Sequence, residues 1–414
     1  MKAYPSCISK VKNQSGVSAV VVAIGLVMLL GFAALAIDVG YLYSTRNELQ
    51  NVSDATALAA TRQLGSIYQS MSYQDQQNYV CDRPAIVSVA QQVGLKNQAA
   101  KTFITINDAD VVIGKWNSGT LTPTLAQPDA VGVIARRDSS ANSPVTTIFA
   151  AIFNTFGGNF DTVGITADAV AALSGKGESH DGEIELPVAI DEDWFNTNPG
   201  NVCGDQIKFS PTTDPDACAG WTSFEISPSN DITLRRILQE MMDIPSTSVG
   251  VTQLNMIGGD LSVPTFDALL TLFQYKGYDV HSSAIASIND ISLTPTPAAT
   301  DAAGNPVPFL PVGSPNTTPL FDDDGVTPLL YPDGTARNVH IWDTYVAVYS
   351  SSGCSNPNQV KDLVGYAEIR LTDIKGPPDK LLQGILLCNG VDKDDNRGGG
   401  GNFGLKGSIP GLVE

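Results

Sequence analysis

Gly16–Ile37 reads GVSAVVVAIGLVMLLGFAALAI, and Asp38–Leu64 continues it as DVGYLYSTRNELQNVSDATALAATRQL. The first stretch carries no charged residue. At about 1.5 Å per residue it spans roughly 33 Å, enough for a bilayer core. No other run in the chain is comparable, so everything after it is expected on one side of a membrane. Lys2, Lys10 and Lys12 precede the run and only Arg46 follows at a comparable distance. The positive-inside bias therefore puts the N-terminus in the cytoplasm and the bulk of the chain outside. A cleavable signal peptide is the competing reading, because Ala34-Leu35-Ala36 fits a small-x-small cleavage site. The run is longer than a signal h-region of about 7–15 residues, which favours a retained anchor.

The second stretch predicts a helix over 38–65. It is rich in Ala, Leu, Gln and Arg and has no Pro. Leu42 and Leu49 lie seven apart, with Val39 and Val52 near the same stripe. Gly65 is expected as the C-cap and Gly40 as a kink point. Ala55, Ala57, Ala59 and Ala60 allow close helix packing, against either the chain's own next domain or a partner's helix. Asp38 stands at the membrane boundary, where it either meets a partner's cation or sits among headgroups. Charges there cost far less than at the midplane.

The chain has 414 residues, a net charge of −19 and 43% hydrophobic residues. That length allows two or three domains beyond the anchor. The acidity argues against nucleic acid, which needs a basic footprint, and against a polybasic hold on anionic lipids. There are six cysteines. Cys7 falls on the cytoplasmic side. The other five lie in an oxidising space, with Cys203 and Cys218 as the nearest pair and Cys354 and Cys388 as the next, which leaves Cys81 over.

Beyond the helix, residues 66–175 read as a small α/β unit. Helix is expected at 84–93, and strands at 102–106, 111–116 and 130–136. Ser143-Pro144 predicts a second helix ending at Gly157, and a long alternating strand follows over 161–173. Ser174–Ser179 reads as a flexible break. Residues 176–414 are expected to be β-rich, with strands near 183–190, 206–209, 223–226, 339–350, 364–374 and 381–387. Helices are expected near 232–242 and 265–276. Residues 293–333 read as a long loop, and Gly398–Gly401 as a flexible tail before an apolar terminus. The fold class expected is α+β: one transmembrane helix continuing as a long helix, a small α/β unit, and a larger β-rich extracytoplasmic domain.

No catalytic motif emerges. His180, His281 and His340 have no partner at ligand spacing, no nucleophile elbow surrounds a serine, and no phosphate-binding glycine loop is present. Asp392, Asp394 and Asn396 alternate as calcium ligands do, but Arg397 replaces the glycine and Phe403 the glutamate of an EF-hand. No cofactor is expected, with calcium the one metal to consider.

The helix resembles the N-terminal module of the TadE/TadG-like Flp (tight adherence) pilus-assembly proteins. The matching residues are Gly16, the apolar run, Asp38-Val39-Gly40, Tyr43, Leu49-Gln50, Asp54, Ala55 and Ala57–Ala60. Val111 to Trp116, Val131 to Arg137 and Ile165-Thr-Ala-Asp-Ala-Val-Ala extend the likeness. The resemblance implies a non-enzymatic inner-membrane component of a bacterial pilus-assembly or secretion apparatus. Its outer domain would be periplasmic or surface-exposed and its partners other assembly proteins. A secreted adhesin released near Ala36 is the alternative.

Overall fold

The computed structural model describes residues 15–71, 73–117, 119–179, 184–197, 206–209, 219–243, 253–259, 261–280, 339–350, 358–375 and 381–413. Helix α1 (Ser15–Gln69) is continuous. It is followed by α2 (Tyr73–Gln77), α3 (Arg83–Gly94), α4 (Glu192–Thr197), α5 (Asp231–Asp243) and α6 (Val263–Lys276). The remaining regular structure is mostly strand, so the class is mixed α+β.

The helix is unbroken through Gly40. One expectation for α1 is corrected. Gly65 does not end it, because the helix runs on to Gln69. The glycine is there for space: a Cβ at Gly65 would lie 2.2 Å from the Ser408 carbonyl oxygen.

The chain packs as two units, one of Met1–Thr56, Val87–Val111 and Gly132–Ala169, the other of Ala57–Ile86, Val112–Val131 and Val170–Glu414. In the first, Gln98–Ala99 and Thr102–Phe103 form a short hairpin, so strand 102–106 is shorter than expected. Val145–Thr146 pairs with Thr162–Val163. The helix expected from Ser143 is therefore a strand at its start. Ser143 has φ 56°, not the extended backbone of an N-cap. Only Ala150–Phe156 is helical, as a 3-10 turn ending at Gly157 with φ 92°. Arg136 and Arg137 tie this unit together. Arg136 Nε donates to Asp110 at 3.0 Å and Nη1 to Asp138 at 3.1 Å. Arg137 reaches the carbonyls of Ser143 and Ala99 at 2.9 and 2.8 Å.

In the second unit an eight-stranded sheet runs in the order Gln206–Phe209, Leu381–Leu387, Val360–Lys375, Gln253–Ile257, Ala219–Thr222, Val188–Asp191, Val339–Tyr349, Tyr278–Val280. Val339–Tyr349 also pairs with Val360–Lys375, so five of these strands close into a ring. Its one parallel contact is Val188–Asp191 with Val339–Tyr349. Trp221, Leu254, Met256, Val346 and Val348 are buried in one core with Leu234 and Leu238 of α5 and Phe266 and Leu269 of α6. Each such aliphatic side chain contributes roughly 1.5–3 kcal/mol by leaving water. The strand expected at 223–226 is Ala219–Thr222 instead. Trp221, which is buried, faces Ile257 in register, whereas Ser223–Ile226 turns.

The segment expected as a flexible break is a strand. Gly175–Lys176 joins a four-stranded sheet with Gly390–Val391, Leu405–Lys406 and Gly398–Gly400. The glycine tail is thus also ordered pairing. A Cβ on Gly175 would sit 2.1 Å from the Gly401 oxygen, and one on Gly400 equally close to the Lys176 oxygen. Glycine here allows backbones to meet rather than to wander. The loop expected at 293–333 lies outside the described residues.

Candidate functional site at the membrane-proximal helix

Among the described residues, one helix is long and apolar enough to cross a membrane, and its most apolar window is entirely unburied. Burial begins at Asp38 and recurs at Thr45, Leu49, Val52, Ser53, Thr56, Ala57, Ala60, Thr61 and Leu64. Those steps of three, four and seven are one helical face. From Leu49 on, the stripe is covered by the chain itself. Leu42 is half-buried, while Val39, Gly40 and Tyr43 stay exposed, Tyr43 at 67%. A Cβ on Gly40 would meet nothing within 4 Å.

Asp38 is 2% exposed. Its carboxylate accepts the backbone N–H groups of Ile148, Phe149 and Ala150 at 2.8, 2.9 and 2.5 Å. These open the 3-10 turn Ala150–Phe156, whose first N–H groups have no partner within the turn. Asp38 is a capping residue delivered from another element. It is spent on the chain's own backbone, not on headgroups or a foreign cation. Ile148, which this clasp ties to the helix, stays exposed, as do Ile152 and Phe160.

Gln50 and Asp54 form a second tie. Gln50 Nε2 donates to Asp54 Oδ1 at 2.8 Å and to the Asp168 carbonyl at 2.9 Å. The helix is thereby fixed to the strand Ile165–Ala172, where Ile165, Ala167, Ala169 and Ala171 are buried as expected, but the alternation ends at Ala169 because Val170 and Ala172 are buried too.

Residues 16–63 match the model of the putative Flp pilus-assembly TadE/G-like family. That TadE/G-like match covers the span, Asp38 and the Gln50–Asp54 pair, and stops short of everything after Gln63. No curated protein and no solved structure matches the chain.

The remaining candidates lie elsewhere. Asp392 is buried, and its Oδ2 meets Lys176 Nζ at 2.7 Å, while its Oδ1 accepts from Tyr345 Oη and the Asp394 N–H at 3.2 Å each. Asn396 Nδ2 also donates to it. Among the described residues no three His, Cys, Asp or Glu side chains are grouped to hold a metal. Cys81 is free and buried. Cys388 is also buried. Cys203, Cys218 and Cys354 all lie outside them. Sequence reasoning missed the Asp38 clasp and the Lys176–Asp392 contact, since both join residues more than a hundred positions apart with no local pattern.

Proposed function

We propose that this chain is a non-enzymatic component of a Flp pilus-assembly or secretion apparatus, held in a bacterial inner membrane by Gly16–Ile37. Its N-terminus would be cytoplasmic and its β-rich domain periplasmic or surface-exposed, making protein–protein contacts. The observation that carries this reading is the coincidence of the family match with one unbroken helix whose matched residues have structural roles. Asp38 and Gln50 tie that helix to its own domain. Val39, Gly40 and Tyr43 remain open on the helix, with Gly40 leaving room for a second helix to approach closely. Ile148, Ile152 and Phe160 would seat the first unit on the bilayer surface, because exposed apolar groups beside a span partition into the interface.

Deleting the gene and counting pili tests the role. Loss of pili, restored by the full chain but not by a chain with Gly40→Leu and Tyr43→Ala, supports a helix contact. Normal piliation after deletion would sink the assembly reading. N-terminal sequencing of the membrane-extracted protein tests the anchor: a mature start at Ile37 would instead favour a released adhesin.

A further inference from the structure

Lys176 and Asp392 are both 0% exposed, with Nζ and Oδ2 2.7 Å apart. The ammonium also lies 4.4 Å from the centre of the Tyr345 ring. Glu368 is the cross-strand partner of Tyr345, so the two side chains share one face of the sheet. Tyr366, two positions earlier, shares it too. Glu368 Oε2 comes within 2.8 Å of where a Cβ on Gly390 would stand, two residues before Asp392. The Lys176 amine and the Asp392 carboxyl group are thus enclosed together away from water, with the half-buried Glu368 carboxyl group on the same face of the sheet.

We propose that Lys176 and Asp392 join through an intramolecular isopeptide bond, with Glu368 carrying the proton. In the reaction Nζ passes a proton to Oδ2 across the 2.7 Å contact, which frees its lone pair for attack. Nζ attacks Asp392 Cγ. The charge that develops on Oδ1 is met by Tyr345 Oη and the Asp394 N–H, already in place as donors. Glu368 accepts the second Nζ proton and returns a proton to Oδ2. The Cγ–Oδ2 bond then breaks and the oxygen leaves as water. One ammonium and one carboxylate become one amide and one water, with no change of oxidation state. Burial raises the Glu368 carboxyl, and the Asp343 carboxylate raises it further, to about 8, so it holds a proton at neutral pH. Fixed proximity supplies the rest, as in other intramolecular acyl transfers.

The bond would staple the strand Gly175–Lys176 to the loop after Gly390–Val391, resisting extension as a covalent loop closure does. The test is the mass of the full chain, extracted in detergent and reduced. The expected result is a mass one water below that of the sequence, with a branched peptide joining Lys176 to Asp392 after digestion. Lys176→Arg and Glu368→Gln are each expected to restore the full mass, the latter keeping the ion pair. A wild-type chain of full mass, with Lys176 acetylated by an anhydride after denaturation, would overturn the proposal. So would a water loss that maps to any other residue. Complete cross-linking in Glu368→Gln would remove Glu368 from the reaction.

Discussion

Asp38 and Ile148 are 110 positions apart, and the carboxylate of the first accepts the backbone N–H of the second at 2.8 Å. Phe149 and Ala150 add two more donors to the same carboxylate. Asp38→Ala leaves three N–H groups without that acceptor. The expected cost is about 1–3 kcal/mol, with Asp38→Asn intermediate because its amide oxygen still accepts. Limited proteolysis of the detergent-solubilised chain should show faster cleavage within residues 147–160 in the alanine variant. Equal cleavage rates would mean that the clasp does not hold the turn.

Two glycines of the same helix should respond in opposite ways. At Gly65 an added methyl meets the Ser408 carbonyl oxygen at 2.2 Å, and backbone cannot swing aside. Gly65→Ala is expected to destabilise by about 1–3 kcal/mol through overpacking. At Gly40 the same methyl meets nothing within 4 Å. There Ala should stabilise the helix by up to about 1 kcal/mol through propensity. Urea midpoints of the two variants decide it, and a matched response at both sites would contradict the packing.

The long helix was legible because its signal is local: an uncharged run, then steps of three and four. Its end was misread at Gly65 because a C-cap and a close-approach glycine look alike in sequence. The same confusion turned Gly398–Gly401 into a tail, although its pairing partner, Gly175–Lys176, lies more than two hundred residues earlier. Ser143-Pro144 has the composition of a helix start, but pairing of Val145–Thr146 with Thr162–Val163 overrides that preference. Lys176–Asp392 could not be read at all, since a lone lysine and an acidic loop give no spacing to find.

Acid should loosen the pair of helices in the second unit. The Asp231 carboxylate is opposed by partial burial. It is nonetheless held below its usual range by the Ser262 hydroxyl, the Ser262 N–H and Thr265. The Ser262 bonds measure 2.7 and 2.9 Å and link the start of α5 to the start of α6. A depressed folded pKa gives stability that is present above the unfolded value, about 3.9, and lost as pH falls through the folded one. Asp231→Asn should cost about 1–2 kcal/mol at pH 7, and its difference from wild type should shrink as pH falls through the depressed folded value. A variant whose deficit persists unchanged in acid would assign the effect to something other than the charge.

Glu368 should impose the opposite slope at higher pH. Burial first, then the Asp343 carboxylate, lift it to about 8, against about 4.3 in an unfolded chain. The folded protein keeps a proton that the unfolded chain releases. Stability from this group is therefore whole below about pH 4.3 and falls as pH rises through about 8. Glu368→Gln is neutral throughout and should flatten that fall. The readout is the change in urea midpoint between pH 5 and pH 8, not its absolute value, because the substitution also alters contacts within the Lys176–Asp392 enclosure. A steeper decline in wild type than in Glu368→Gln is expected. Parallel declines would mean that Glu368 ionises normally within the fold, and the proton it is asked to carry between Nζ and Oδ2 would have to come from elsewhere.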